Sequence, residues 1–304
     1  MNDATVIRAS AFAPAHVTGV FRPSPRARDP RARGSIGAGV VLELGVRATA
    51  EFRAGPTRRL QLTSDVPIPL PISENVARRL APPDAGTLRV RLDHELPIGQ
   101  GFGMSAAGAT ATALAVGTIS GRSRADALRV AHLADLFGGG GLGGVAAIVG
   151  GGGVEFRTRA GLPPRGRVAH DPLPGSLLVG VVGGPLPSPR LLGDPRFLDR
   201  VTVASEGLEE LLAEPGSTPF FELSQRFTDR LDLAPPALRR LIRAMRRRGA
   251  WTAQAMFGRS FFARPRGPRQ HREVVRWLER SGVRAVELSA AARGAHARRR
   301  SQPL

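Results

Sequence analysis

Between Thr87 and Glu95 apolar and polar residues alternate with the period of a half-buried strand. A run of small residues from Ala109 to Thr118 then predicts a helix over residues 104–119. Upstream, Val6–Phe12, Val40–Ala48 and Arg59–Thr63 read as strands. Ser73 reads as the N-cap of a short helix with Val76, Ala77 and Leu80 on one face, ending before Pro82. Downstream, the pattern predicts a helix over 124–137 in which Leu128, Ala131, His132 and Asp135 share a face. Strands are expected at Ala146–Val149, Gly152–Arg157 and Ser176–Val182, and helices at Pro195–Ala213, Pro219–Leu231 and Pro235–Arg248. A strand, glycine turn and strand follow over 253–263, then a helix at His271–Ser281 and a strand at Val283–Leu288. The proline- and glycine-rich stretch 163–175 marks a boundary, so the expected units are 1–165, 166–290 and a basic, disordered tail at 291–304.

Composition narrows the setting. The 304 residues suffice for a real core, and no apolar run approaches a membrane span. Without cysteine there are no disulfides and no thiolate metal sites, and the expected location is the cytoplasm. The net charge of +19 points toward polyanions. Every one of the 44 basic residues is arginine, which is a compositional bias, and aromatic residues are only 5%. That pattern lacks the interleaved stacking residues of single-strand binders and argues against a nucleic-acid partner. A positive field also suits small anionic substrates.

The chemistry concentrates between the strand at 87–95 and the helix at 104–119. Gly99, Gly101 and Gly103, at alternate positions, let the backbone turn sharply and bring amides close to a ligand. The helix that follows directs its N–H groups and positive dipole end to the same place, which suits a phosphate. Ser105, at the turn, can add a hydroxyl to a phosphate or its metal ion. No Gly-Lys-Ser/Thr follows, so this is not a Walker A loop, and the spacing is not that of a dinucleotide fingerprint.

The string Leu96-Pro97-Ile98-Gly99-Gln100-Gly101-Phe102-Gly103-Met104-Ser105 resembles the phosphate loop of the GHMP small-molecule kinases, in particular the archaeal pantoate kinases. Ala11-Phe12-Ala13-Pro14-Ala15-His16-Val17-Thr18-Gly19 is similar to that family's N-terminal motif, with Ala15 where a glycine is usual. Gly34-Ser35-Ile36-Gly37-Ala38-Gly39 resembles its Gly-Ser-Arg-Gly-Ala-Gly segment, with Ile36 at the arginine. Ala255-Met256-Phe257-Gly258 with Phe262 is similar to the third GHMP motif.

The resemblance covers roughly residues 8–290 and implies an α+β, two-domain GHMP-kinase architecture: a ribosomal protein S5 domain 2-like N-terminal domain that binds ATP and a ferredoxin-like C-terminal domain. It implies phosphorylation of pantoate to 4-phosphopantoate with ATP and Mg²⁺ in coenzyme A synthesis, and a homodimer. The implied ATP site is Pro97, Gly99, Gly101, Phe102, Gly103, Met104, Ser105, Ala106 and Gly108. His16, Thr18, Gly19, Ser35 and Gly258 are the implied acceptor residues, with Arg33 standing in for the arginine absent at 36. Ser105 and Asp135 are the candidates for the metal and for catalysis. The family's Thr-Gly-Leu-Gly-Asp-Val segment is altered here: Gly140 replaces the threonine, Gly144 replaces the acid, and Phe137 occupies a place where a second acid is expected. A non-catalytic nucleotide- or pantoate-binding relative is therefore the alternative, and a nucleic-acid-binding protein, driven by charge, is the third reading.

Overall fold

Two sheets, one mixed and one antiparallel, carry the described residues, 6–24, 27–185 and 191–300, of a computed structural model. The first is built on two long antiparallel strands, β1 (Val6–Ser24) and β2 (Gly34–Ala54), joined around a 3-10 turn at Pro30–Ala32. Beyond β1, β2 has two partners. Its second half pairs with β4 (Gly86–His94), and Gly37–Val40 pairs with β5 (Val154–Arg159). β3 (Arg59–Ser64) lies parallel to β4, and β6 (Arg167–Asp171) lies antiparallel to β5. Register shifts between Pro14 and His16 and between Thr18 and Val20 bend β1 where the site forms. Such irregularities re-aim side chains.

Helices α1 (Pro71–Leu80), α2 (Met104–Ile119) and α3 (Arg124–Phe137) cover this sheet. Nearly every residue of α2 is buried, between β1 and β2 on one side and α1 and α3 on the other. A helix apolar on all sides is a buried helix, and alanine, glycine and threonine let its neighbours approach closely.

The second sheet orders its strands β10-β7-β9-β8: β7 (Ser176–Val181), β8 (Ala250–Gln254), β9 (Ser260–Pro265) and β10 (Ala285–Ser289), all antiparallel. In chain order this is fourth-first-third-second, a ferredoxin-like arrangement. Alternate residues divide its two faces. Leu177, Val179 and Phe262 join the main core beside α5 (Pro195–Ala204), α6 (Leu208–Ala213) and α7 (Ser217–Leu231). Leu178, Phe261 and Ala263 pack with α8 (Pro236–Arg247) and α9 (Pro268–Arg280). The architecture is α+β. Among the described residues no helix is long and apolar enough to cross a membrane.

Several local expectations are revised. The run at Ala146–Val149 is a buried helix, α4 (Gly144–Ile148), because periodicity alone cannot separate a four-residue apolar strand from one helical turn. Helix α1 starts at Pro71, whose fixed φ suits a first turn, and Ser73 lies buried inside it. The helix expected at 195–213 breaks before Gly207, which takes the left-handed conformation at φ 90°. β6 belongs to the first sheet, so the chain crosses to the second sheet after Asp171 and not at 165/166. The disordered tail is corrected as well: β11 (His296–Arg300) pairs with Arg8–Phe12 of β1. Backbone bonds from Gly152 to Ala291, Ala291 to Val41 and Ala295 to Ile148 hold its approach in place. Residues 301–304 lie outside the described set.

Candidate active site

The glycine loop takes the geometry its sequence requires. Gly99, Gly101 and Gly103 have φ of 75°, 76° and 64°, three left-handed residues at alternate positions. Gly103 is the N-cap of α2 and offers no side chain to its first N–H groups, which stay available to a ligand. A Cβ on Gly101 would sit 2.6 Å from the carbonyl oxygen of Met256. Gln100 fastens the loop to the second sheet. Its Nε2 donates to Gly183 (2.8 Å), its Oε1 accepts from the Arg259 amide (3.2 Å), and its carbonyl accepts from the Ser260 hydroxyl. Gly101→Ala is expected to weaken nucleotide binding by tenfold or more, since left-handed strain and the collision together exceed ~1.4 kcal/mol. Calorimetric titration with ADP measures the loss.

At the start of α2, Ser105 Oγ donates to Asp135 Oδ1 of α3 at 2.5 Å. Asp135 is 2% exposed and has no cationic partner among the described residues. Burial pushes its carboxyl up from 3.8 to about 7, against the opposing effect of the Ser105 hydrogen bond. The glycines from 138 to 144 wrap around this pair. A Cβ on Gly140 would lie 2.0 Å from Asp135 Oδ1 and 2.1 Å from Ser105 Oγ, and one on Gly144 would lie 2.6 Å from the Ala106 Cβ. The absence of side chains at 140 and 144 is thus built into this packing.

A second polar cluster lies on the other side of the loop. His16 Nε2 is 2.8 Å from Glu155 Oε1, which also accepts from Arg157; all three side chains are buried. Glu155 and Arg157 stand opposite Gly39 and Gly37 of β2. The bare glycines make the room: a Cβ on Gly39 would meet His16 Nε2 at 2.3 Å, and one on Gly37 would meet the Arg157 guanidinium at 2.7 Å. Burial lowers the His16 pKa below the usual imidazole value, Glu155 opposes that shift, and Arg157 adds to it. Among the described residues the Nε of Arg157 has no hydrogen-bond partner, and it and the Ser35 hydroxyl both come close to Gly143.

Ser105, Asp135, His16, Ser35 and Arg157 line one cleft of about 340 Å³. Of the expected residues it contains His16, Thr18, Ser35, Gly99, Gly101, Phe102, Gly103, Met104, Ser105, Ala106 and Asp135. Pro97, Gly19, Gly108, Gly258 and Arg33 do not line it. Gly108 packs on Ser73, Gly19 on Phe220 and Ser224 of α7, and Gly258 on the Gln100 carbonyl, so these three shape the cleft from behind. Arg33 is held by its own loop, with Nε donating to the Ala27 carbonyl (2.7 Å). The guanidinium in the cleft comes from Arg157 of β5, and Ile36 packs against the core. Glu155 and Arg157 carried only a weak sequence signal: charges alternating with Val154 and Phe156 ordinarily face water. Met256 and Phe257 of the β8–β9 turn close the cleft, Phe257 with a left-handed φ of 65°.

Comparison with known proteins agrees with this fold. The family described as GHMP kinases N terminal domain matches residues 72–152. The chain is 32% identical over 242 residues, 77% of its length and 80% of the relative's, to the pantoate kinase of Thermococcus kodakarensis. It is 36% identical over 155 residues to the pantoate kinase of Methanospirillum hungatei JF-1, covering 50% of this chain and 53% of that protein. A solved structure described as a phosphotransferase related to the CoA biosynthesis pathway superposes with a TM-score of 0.85 at 27% identity, over 96% of this chain and 99% of that one.

Proposed function

Because this chain belongs to the pantoate kinase family of the GHMP kinases, we propose that it transfers the γ-phosphoryl group of ATP to the terminal hydroxyl of pantoate, giving 4-phosphopantoate for coenzyme A synthesis. The observation that carries this reading is the placement of two unlike subsites on one cleft. An amide-lined loop at Gly99–Ser105, ending at the positive pole of α2, suits a triphosphate, and Ser35 with Arg157 suits a small hydroxy acid. The Arg157 Nε, buried and unpartnered, is a donor waiting for a carboxylate oxygen.

Phosphoryl transfer depends chiefly on positioning and electrostatics. The loop amides and the N-terminus of α2 would hold the phosphates, and Arg157 and Ser35 would fix the acceptor carboxylate so that its far hydroxyl faces them. Asp135 and Ser105 fit a magnesium ion. Their oxygens are hard ligands, and burial raises the pKa of the carboxyl with no cationic side chain beside it among the described residues. Magnesium uses one or two carboxylates together with substrate phosphates and would neutralise charge on the transferring group.

The lack of an acid at 144 favours a second reading, a protein that binds the same ligands without turnover. Restoring that acid is a poor discriminator, because a Cβ at 144 collides with Ala106. The direct experiment mixes the purified protein with Mg-ATP and pantoate, follows ADP release and identifies the product by mass, with mevalonate, homoserine and shikimate as comparison acceptors. Phosphopantoate is the expected product. ATP binding with no acceptor turned over would favour the second reading.

A further inference from the structure

We propose that His16 is the general base of this reaction, its Nδ1 taking the proton of the acceptor hydroxyl while Glu155 holds its Nε2–H. The inference rests on the kinase reading above and concerns how it proceeds without an acid at 144. Among the described residues lining the cleft, the candidate bases are His16 and Asp135, and Arg157 is the one other ionisable side chain. Arginine does not serve as a base, and Asp135 is engaged with Ser105 beside the phosphate loop. His16 remains.

Its surroundings prepare it for that role. Glu155, buried beside Arg157, accepts at 2.8 Å from Nε2, so the ring proton sits on Nε2 and the Nδ1 lone pair is free. Among the described residues the one hydrogen-bond partner of Nδ1 is Thr18 Oγ1, at 3.5 Å, a loose contact that an acceptor hydroxyl can replace. The backbone of His16 is also fastened to the phosphate loop. The His16 amide donates to the Phe102 carbonyl (3.0 Å), and its own carbonyl lies 3.1 Å from where a Cβ on Gly103 would be. Burial keeps the imidazole neutral at neutral pH, as a base requires.

In the transfer, the acceptor oxygen forms a bond to the γ-phosphorus as the bond from that phosphorus to the β–γ bridging oxygen breaks. The hydroxyl proton moves to Nδ1, and ADP leaves with the bridging electron pair. Glu155 stabilises the imidazolium until it returns the proton to water. A buried base oriented by a carboxylate is the general arrangement for such a step.

The test is His16→Gln, which keeps hydrogen bonding but removes the base. With pantoate as acceptor, kcat is expected to fall at least ~100-fold while the KM values for ATP and pantoate stay within about threefold. The acid limb of the kcat profile assigned to His16 disappears. Glu155 and Arg157 on β5, His170 on β6 behind them and Asp135 across the cleft set the field in which that limb is read. A kcat within about threefold of the wild type, or a loss confined to the KM for pantoate, overturns the proposal. An independent measurement needs no turnover: imidazole ¹⁵N shifts at pH 8 are expected to show His16 protonated on Nε2. A proton on Nδ1 overturns it. Failure of the wild-type protein to phosphorylate pantoate is a different result and counts against the function itself.

Discussion

Asp135→Asn is expected to abolish phosphoryl transfer and, without metal, to raise the stability of the protein at pH 8. The two effects share one cause. In the folded state the Asp135 carboxyl is shifted from 3.8 to about 7 by burial. A carboxyl raised in this way favours folding in its protonated form. Its contribution is fully present below pH 3.8, declines as pH rises, and is lost above about 7, where the buried anion opposes folding. A shift of that size corresponds to about 4 kcal/mol as an order of magnitude. Thermal unfolding without Mg²⁺ is therefore expected to show the wild-type Tm falling from pH 5 to pH 8 relative to that of the Asn variant, against the opposite trend that the lowered pKa values of His16, His132 and His170 give both proteins. Adding Mg²⁺ and nucleotide is expected to restore stability to the wild type alone, because binding to the folded state stabilises it by mass action. Equal pH dependence in both proteins would show that Asp135 is not the group responsible.

The second large effect concerns Arg157. Arg157→Met leaves Glu155 buried with His16 as its only polar side-chain partner and is expected to cost roughly 3–5 kcal/mol of stability, the usual range for breaking a buried pair. Removing both charges in Glu155→Gln/Arg157→Met is expected to recover most of that loss, since the uncompensated anion is gone. Activity separates from stability here. The double variant is expected to retain ADP affinity, because the phosphate loop is untouched, yet to need far more pantoate to reach half-maximal rate. Denaturant melts and steady-state kinetics on the two variants decide it. A double variant with unchanged KM for pantoate would remove Arg157 from the acceptor subsite.

The phosphate loop and its flanking elements were legible because local chemistry dictates them. Three alternating glycines between a strand and a helix mark backbone positions closed to other residues, and Gly99, Gly101 and Gly103 do take left-handed conformations. The range of α3 was equally readable, since Ser123 caps it and its apolar spacing runs unbroken. Asp135 could be placed on a buried face by its spacing. Its partner Ser105 could not be paired with it from sequence, because 30 positions separate them and only the packing of α2 on α3 brings them together. Arg157 escaped for a sharper reason. Its pattern on β5 is that of a wetted strand, and what buries it is the absence of side chains at Gly37 and Gly39 across the ladder. Arg33 looked equivalent as a charge near Ser35, but the 3-10 turn at Pro30–Ala32 turns it back onto Ala27. The segment 296–300 was misread because five largely polar residues carry little strand pattern; the free edge of β1 supplies the order they lack.

That last pairing also governs how the protein comes into being. β1 emerges from the ribosome early, yet one of its two neighbours in the sheet is encoded after the whole of the second sheet. The nascent chain must therefore carry an unpaired strand edge while residues 172–295 are made, and such an edge is where chains add to one another. Excising the nucleotide-binding half as a separate module would make that temporary exposure permanent, so the two halves are distinct in architecture and inseparable in biogenesis.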